Sequence, residues 1–133
     1  MKPVFADTFF YLALLNSTDS AHRQVMKFAS EYQGHMVTGE WILTELADGM
    51  LSPGRRRALA PFLEGLMTDP KTEIIAWDSG LFHAGFRLYA SREDKYWSLT
   101  DCISFEVMHR RQITKALTAD RHFEQAGLIA VFA

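Results

Sequence analysis

Four acidic side chains stand where their neighbours give a charge no ordinary reason to be: Asp7, Glu45, Asp101 and Asp120. Val4-Phe5-Ala6 runs straight into Asp7, and Ala116-Leu117-Thr118-Ala119 runs into Asp120, so two short strand-like segments each end on a carboxylate. Glu45 lies inside a helical pattern and Asp101 at the start of another. Carboxylates held together repel one another, and burying an unpaired charge is costly, so a converging set requires a compensating cation. Oxygen donors without Cys or His select hard ions, magnesium or manganese. Magnesium prefers octahedral oxygen coordination at about 2.0–2.1 Å and usually keeps waters, which leaves places for a substrate phosphate. With such ions a bound water is activated, the scissile phosphate oriented and the leaving oxygen neutralised: the chemistry of phosphodiester hydrolysis. The ions also explain how an acidic pocket accepts a polyanion.

Each aspartate has a local explanation as well. Asp at a strand-to-helix junction is a favoured N-cap and gains from the helix dipole. Ser98-Leu99-Thr100-Asp101 is an acidic version of the capping box, worth about 1 kcal/mol for the cap itself. Glu45, beside the apolar stripe in mid-helix, needs no such role, and its plain alternative is a solvated border position. Capping and catalysis are compatible.

The elements that must position these acids follow from apolar periodicity and turn chemistry. Pro3 to Ala6 reads as a buried strand, and Thr8 to Leu15, nearly all apolar, as a buried helix. Asp19 or Ser20 caps a helix carrying Ala21, Val25, Phe28, Ala29 and Tyr32, closed by Gly34. His35 to Thr38 is a strand, followed by a helix from about Glu40 to Leu51 with Ile42, Leu43, Leu46 and Met50 on one face. After Ser52-Pro53-Gly54 a helix runs from Pro53 to about Thr68, ended by Asp69-Pro70. Thr72 to Trp77 is a third strand, Ser79 to about Ala90 a helix, and Ser91 to Trp97 a polar, partly aromatic loop. Ser98 opens a helix burying Cys102, Ile103, Phe105, Val107 and Met108. Lys115 to Thr118 is strand four; a short helical turn and Ile129 to Phe132 complete the chain. This alternation predicts an α/β fold, a three-layer α/β/α sandwich with a mainly parallel sheet of four to five strands, spanning residues 1–133 as one domain. Ligands in such folds gather beyond the carboxyl ends of the strands, the edge that Asp7 and Asp120 occupy.

Composition narrows the class. With 48% hydrophobic and 23% charged residues in a chain of 133, disordered and fibrous classes drop out. A net charge of −2 argues against a surface basic throughout. The local basic candidates are Arg55-Arg56-Arg57, Arg92 to Lys95 and His109-Arg110-Arg111, and charge runs are usually solvated faces. A single cysteine, Cys102, precludes an intrachain disulfide and a cysteine-based zinc site, and reads as a small core residue. No apolar run approaches the ~20 residues needed to cross a bilayer, and no signal-peptide pattern is present, so the expected location is the cytoplasm.

The chain resembles the PIN-domain family, metal-dependent nucleases that include the toxins of VapBC-type toxin–antitoxin pairs. The resemblance covers essentially the whole chain and rests on Phe5-Ala6-Asp7-Thr8, Thr44-Glu45-Leu46, Ser98-Leu99-Thr100-Asp101-Cys102-Ile103-Ser104-Phe105 and Thr118-Ala119-Asp120-Arg121-His122-Phe123. It implies endoribonuclease activity with one or two Mg²⁺ or Mn²⁺ ions. Asp7, Glu45 and Asp101 would be the principal metal ligands, with Asp120 completing the site directly or through water. Thr8 and Thr118 would support them by hydrogen bonds, unless they serve only capping or strand propensity. RNA as substrate, a cognate antitoxin and a homodimer come with the same resemblance. The family often has Gly in the turn before strand four; here Arg110-Arg111-Gln112-Ile113 stands there, which puts the local turn geometry in question.

His22 and His122 are read as structural or solvated, since the resemblance assigns neither a catalytic role. Arg92, Lys95, Tyr96 and Trp97 precede Asp101 and could meet RNA by phosphate pairing and base stacking, with plain surface-loop chemistry as the equal alternative. A haloacid-dehalogenase-type phosphatase needs a second Asp two residues after the first, where Phe9 stands. A phosphoacceptor receiver domain needs an acidic pair that Asp7 lacks. The remaining rival is a PIN-like RNA- or protein-binding module with little intrinsic cleavage, against which the intact quartet argues.

Overall fold

The computed structural model describes residues 1–133. Strands and helices alternate: β1 (Val4–Ala6), α1 (Thr8–Leu15), α2 (His22–Glu31), β2 (Met36–Gly39), α3 (Glu40–Asp48), α4 (Pro53–Thr68), β3 (Thr72–Ile75), α5 (Ser79–Ser91), α6 (Leu99–Arg111), β4 (Lys115–Leu117), α7 (His122–Gln125) and β5 (Ile129–Ala130). The five strands form one sheet in the order β3-β2-β1-β4-β5, and every pair is parallel. The expected α/β architecture is therefore present at the upper strand count, with elements shortened at their ends. The third strand stops at Ile75 rather than Trp77, and α3 at Asp48 rather than Leu51.

Val4, Phe5 and Ala6 are consecutive and all buried, which an alternating strand achieves only when helices cover both faces of the sheet. Against this strand collects a core including Phe10, Tyr11, Ile42, Leu46, Ile103, Phe105, Met108, Leu117 and Phe123. Cys102 lies within it, free and buried, as expected. No helix is long and apolar enough to cross a membrane.

The turn before β4 resolves the question raised by the missing glycine. Gln112 takes a left-handed conformation, φ 55° and ψ 36°. The Ile113 N–H then reaches back to the Met108 carbonyl at 2.9 Å, and the buried Ile113 side chain seals the helix end. A glutamine does here what glycine does without steric conflict. Gln112→Gly is expected to stabilise the fold by about 0.5–1 kcal/mol: relief of a left-handed L-residue, worth about 1–2 kcal/mol, outweighs the added freedom of Gly in the unfolded chain, about 0.4–1 kcal/mol. Chemical denaturation of the two proteins reads the difference, and a less stable variant would show the turn to be unstrained.

Candidate functional site

From β1 the chain order runs one way to β2 and β3 and the other way to β4 and β5. Such a reversal opens a crevice beyond the carboxyl ends of the strands. Asp7 is the first residue past β1 and stands at the N-cap position of α1, yet its side chain makes no capping hydrogen bond. Its Oδ2 instead accepts from the Thr118 hydroxyl at 2.9 Å. The same hydroxyl oxygen accepts from the Asp120 N–H at 3.1 Å, so one threonine ties together the ends of two neighbouring strands. Asp7 is 8% exposed. Burial pushes its carboxyl pKa up to about 7, with the charges of Asp101 and Glu45 adding to the effect and the Thr118 bond opposing it.

Thr8, next to Asp7, donates its hydroxyl to Glu45 Oε1. Glu45 is otherwise exposed, at the mouth of an open cleft of about 560 Å³ lined by Glu40, Trp41, Thr44, Glu45, Asp48, Trp77 and Thr100. Both threonines expected to support the acids thus touch them. Helix α3, which carries Glu45, is fastened to α6 by a buried hydrogen bond from Trp41 Nε1 to Ser104 Oγ, 3.1 Å long.

Asp101 occupies the first turn of α6. The capping box is complete: Asp101 N–H donates to Ser98 Oγ at 2.9 Å, and Ser98 N–H donates to Asp101 Oδ2 at 3.3 Å. Burial raises the Asp101 pKa; the Ser98 bond counteracts this and the Asp120 charge reinforces it. Of the local explanations, capping therefore holds for Asp101 and fails for Asp7. Asp120 caps its own turn, its Oδ1 accepting from the His122 N–H at 2.8 Å.

The structure brings all four acids to one edge of the sheet, but the closest group among them includes a residue read from sequence as structural or solvated. Asp101, Asp120 and His122 offer ligand atoms that all lie within 4.8 Å of one another. His122 Nδ1 stands 3.4 Å from Asp101 Oδ2 and 3.3 Å from Asp120 Oδ1. Packing puts it there: Phe123, fully buried, meets Phe105 of α6 edge-on at 4.9 Å and holds the turn of α7 against the start of that helix. The sequence signal for this placement is the Asp-x-His-Phe run, a polar pair leading directly into an anchoring aromatic. The donor chemistry fits a divalent cation: clustered carboxylates, one raised to near neutrality by burial, and a buried ring nitrogen without a hydrogen-bond partner.

In the loop before Asp101 one residue departs from the surface reading. Trp97 is 6% exposed, its ring edge-on to Phe105 at 5.1 Å and its Nε1 bonded to Gln125, so it belongs to the core and offers no face to a base. Arg92 and Lys95 lie over that ring, at 5.2 and 6.0 Å, and Arg92 also pairs with Asp94. Of the two aromatics of that loop, Tyr96 is the one presented to solvent, 93% exposed. Arg111 makes two bonds to Glu73, at 2.8 and 2.7 Å, and sits at the far end of α6, roughly 15 Å along the helix from Asp101. His22 is structural, its Nδ1 bonded to the Ala13 carbonyl at 2.7 Å.

A parallel five-stranded sheet with acids gathered beyond its central strands defines an α/β protein of the PIN architecture. Residues 4–128 match the PIN domain, and the chain belongs to that family. It is 26% identical over 129 residues to the 23S rRNA-specific endonuclease VapC20 in two strains of Mycobacterium tuberculosis, an alignment covering 96% of this chain and 97% of the relative. The crystal structure of M. tuberculosis VapC20, described as a Sarcin-Ricin loop cleaving toxin, superposes with a TM-score of 0.85 at 22% identity, covering 96% of this chain and 98% of that one. FitAcB from Neisseria gonorrhoeae superposes with a TM-score of 0.69 at 18% identity, covering 98% and 96%. At these identities the two structures establish the shared fold.

The raised Asp7 pKa has a stability consequence in the chelated protein. Between the unfolded carboxyl value of 3.8 and the folded value of about 7, the native state holds a proton that the unfolded state has lost. Stability therefore falls as pH rises through that window. A rise from 3.8 to about 7 corresponds to about 4 kcal/mol at most. Asp7→Asn is expected to be more stable than the parent at pH 7.5 by about 2–4 kcal/mol. The gap should close as pH approaches 4 in parallel urea titrations, and a gap independent of pH would contradict the assignment.

Proposed function

We propose that this chain is a metal-dependent endoribonuclease hydrolysing RNA phosphodiester bonds, and the toxin of a type II toxin–antitoxin pair. The observation that carries the reading is the meeting of Asp7, Glu45, Asp101 and Asp120 at one sheet edge within a PIN domain. The 23S rRNA-specific endonuclease activity of its relative in M. tuberculosis supports it. These carboxylates would hold Mg²⁺ or Mn²⁺, which supplies an activated water and neutralises charge at the scissile phosphate.

The chain's own residues set the terms of that chemistry. Thr118 and Thr8 aim Asp7 and Glu45, so two acids from different elements are pre-oriented by hydroxyls and lose little rotamer freedom on binding. The capping box fixes Asp101 in the same way. The cleft beside Glu45 gives an RNA strand its approach, and Trp77, half exposed on the wall of that cleft, offers a ring face to an unpaired base. Tyr96 offers another. The reading brings with it action in the cytoplasm, a cognate antitoxin and a homodimer, for whose surfaces the exposed Leu51, Met67, Phe86 and Tyr89 supply apolar area.

Asp7→Asn and Asp101→Asn should each lower Mn²⁺-dependent cleavage of structured RNA by about 100-fold or more, since each removes a charge from the site. Circular dichroism should show both variants folded. Sequencing RNA ends after controlled expression of the parent beside Asp7→Asn names the substrate at the same time. Undiminished cleavage by both variants would refute the site; cleavage by neither parent nor variant would return the chain to the class of binding modules.

A further inference from the structure

Nothing in the packing of α7 requires a histidine at its first position. Phe123 anchors the turn from within the core, while the His122 side chain is 31% exposed. Its Nδ1 is nevertheless sealed from solvent and has no hydrogen-bond partner. The two oxygens that face it, Asp101 Oδ2 at 3.4 Å and Asp120 Oδ1 at 3.3 Å, already accept the backbone N–H groups of Ser98 and His122 respectively. A ring nitrogen's lone pair facing two carboxylates is repelled by both, so the space between them belongs either to a proton on the nitrogen, as in the Nδ1–H tautomer, or to a metal ion shared by all three groups.

The spacing favours the metal. Around an octahedral ion with bonds of about 2.1 Å, adjacent donors lie roughly 3.0 Å apart and opposite donors roughly 4.2 Å. The separations of 3.3 and 3.4 Å are those of adjacent positions slightly opened, and the set as a whole, within 4.8 Å, would close by a few tenths of an ångström onto an ion. A proton held by hydrogen bonds would instead have drawn the nitrogen to about 2.7–2.9 Å from one of the two oxygens.

Building on the metal-dependent reading above, we propose that His122 Nδ1 is a direct ligand of the ion held by Asp101 and Asp120, and that this nitrogen biases the site toward Mn²⁺ over Mg²⁺. Carboxylate and water suit both ions, whereas imidazole is a borderline donor that transition-metal ions accept and magnesium does not favour. An all-oxygen quartet would not make that distinction. His122 thus sets which ion occupies the site, a task separate from the charge that the acids provide.

Electron spin echo envelope modulation of Mn²⁺ bound to tag-free protein tests the assignment, because a directly ligated imidazole imposes ¹⁴N modulation on the manganese signal. The parent is expected to show that modulation and His122→Gln to lose it. Titrations followed by Mn²⁺ EPR, with Mg²⁺ as competitor, should show the variant binding Mn²⁺ about tenfold more weakly while its Mg²⁺ affinity is little changed. His22, already bonded through Nδ1, serves as a control: His22→Gln should leave the modulation intact. Bound Mn²⁺ without ¹⁴N modulation in the parent, or modulation that survives His122→Gln, overturns the ligand assignment and leaves metal-dependent cleavage standing. Failure of the parent to bind Mn²⁺ at all overturns the metal-dependent reading and this inference together.

Discussion

One hydroxyl group holds the site together. Thr118 donates to Asp7 and accepts from the Asp120 N–H, joining the ends of β1 and β4 where the sheet's chain order reverses. Because Thr118 is fully buried, neither bond competes with water, and each end of the crevice is fixed relative to the other. The arrangement has a cost that the rest of the structure must carry: a carboxylate placed in the apolar interior, its pKa raised to about 7 because the charged form has lost its hydration. A fold optimised only for stability would put an amide or an apolar residue there. The strained electrostatics become intelligible once a cation is added, since the same burial that disfavours a bare carboxylate strengthens its attraction to a metal ion.

Around this centre, apolar packing does the aiming. Glu45 is placed by α3, which the Trp41–Ser104 hydrogen bond pins to α6. His122 and Asp120 are placed by Phe123, wedged edge-on against Phe105. Trp97 closes the other side of Phe105 and shields it from solvent. Four buried aromatic side chains, Trp41, Phe105, Phe123 and Trp97, thus hold polar groups from separate helices at a few ångströms, with the low rotamer freedom of a dense interior. Loss of packing at Phe105 would loosen both Asp101 and His122 without altering either one chemically.

Much of the fold was legible because local signals agreed with the global answer. Val4-Phe5-Ala6 and Ala116-Leu117 are too short and too apolar to be anything but buried strands, and Ser98 with Asp101 announces a helix start that the structure reproduces bond for bond. The acids were legible for the opposite reason, as charges that conflict with their surroundings. The sequence misled where placement depends on contacts distant along the chain. Trp97 sits in a polar loop and reads as a surface aromatic, but Phe105 and Gln125 draw it inward. His122 reads as structural or solvated because the neighbouring Phe123 signals only that the turn after β4 is anchored, not that it folds back onto Asp101. Pro61 lies inside α4 without ending it, because Leu59, Phe62, Leu63 and Leu66 around it pack onto the core while the backbone chemistry of proline alone would break the helix.

The acids arrive from four segments spread between residues 7 and 120, three presented by helix starts or turns and Glu45 from within α3, with Thr118 as the keystone between the outermost two. No contiguous fragment holds the set, so the reactive centre comes into being only when the chain is folded through its last layer. During synthesis the N-terminal strand and helices emerge first, and Asp7 waits without its partners until β4 inserts beside β1. Until then neither Thr118 nor Asp120 stands beside it. The strand made late thus completes the geometry that the first-made strand begins, because β4 lies directly beside β1 in the sheet.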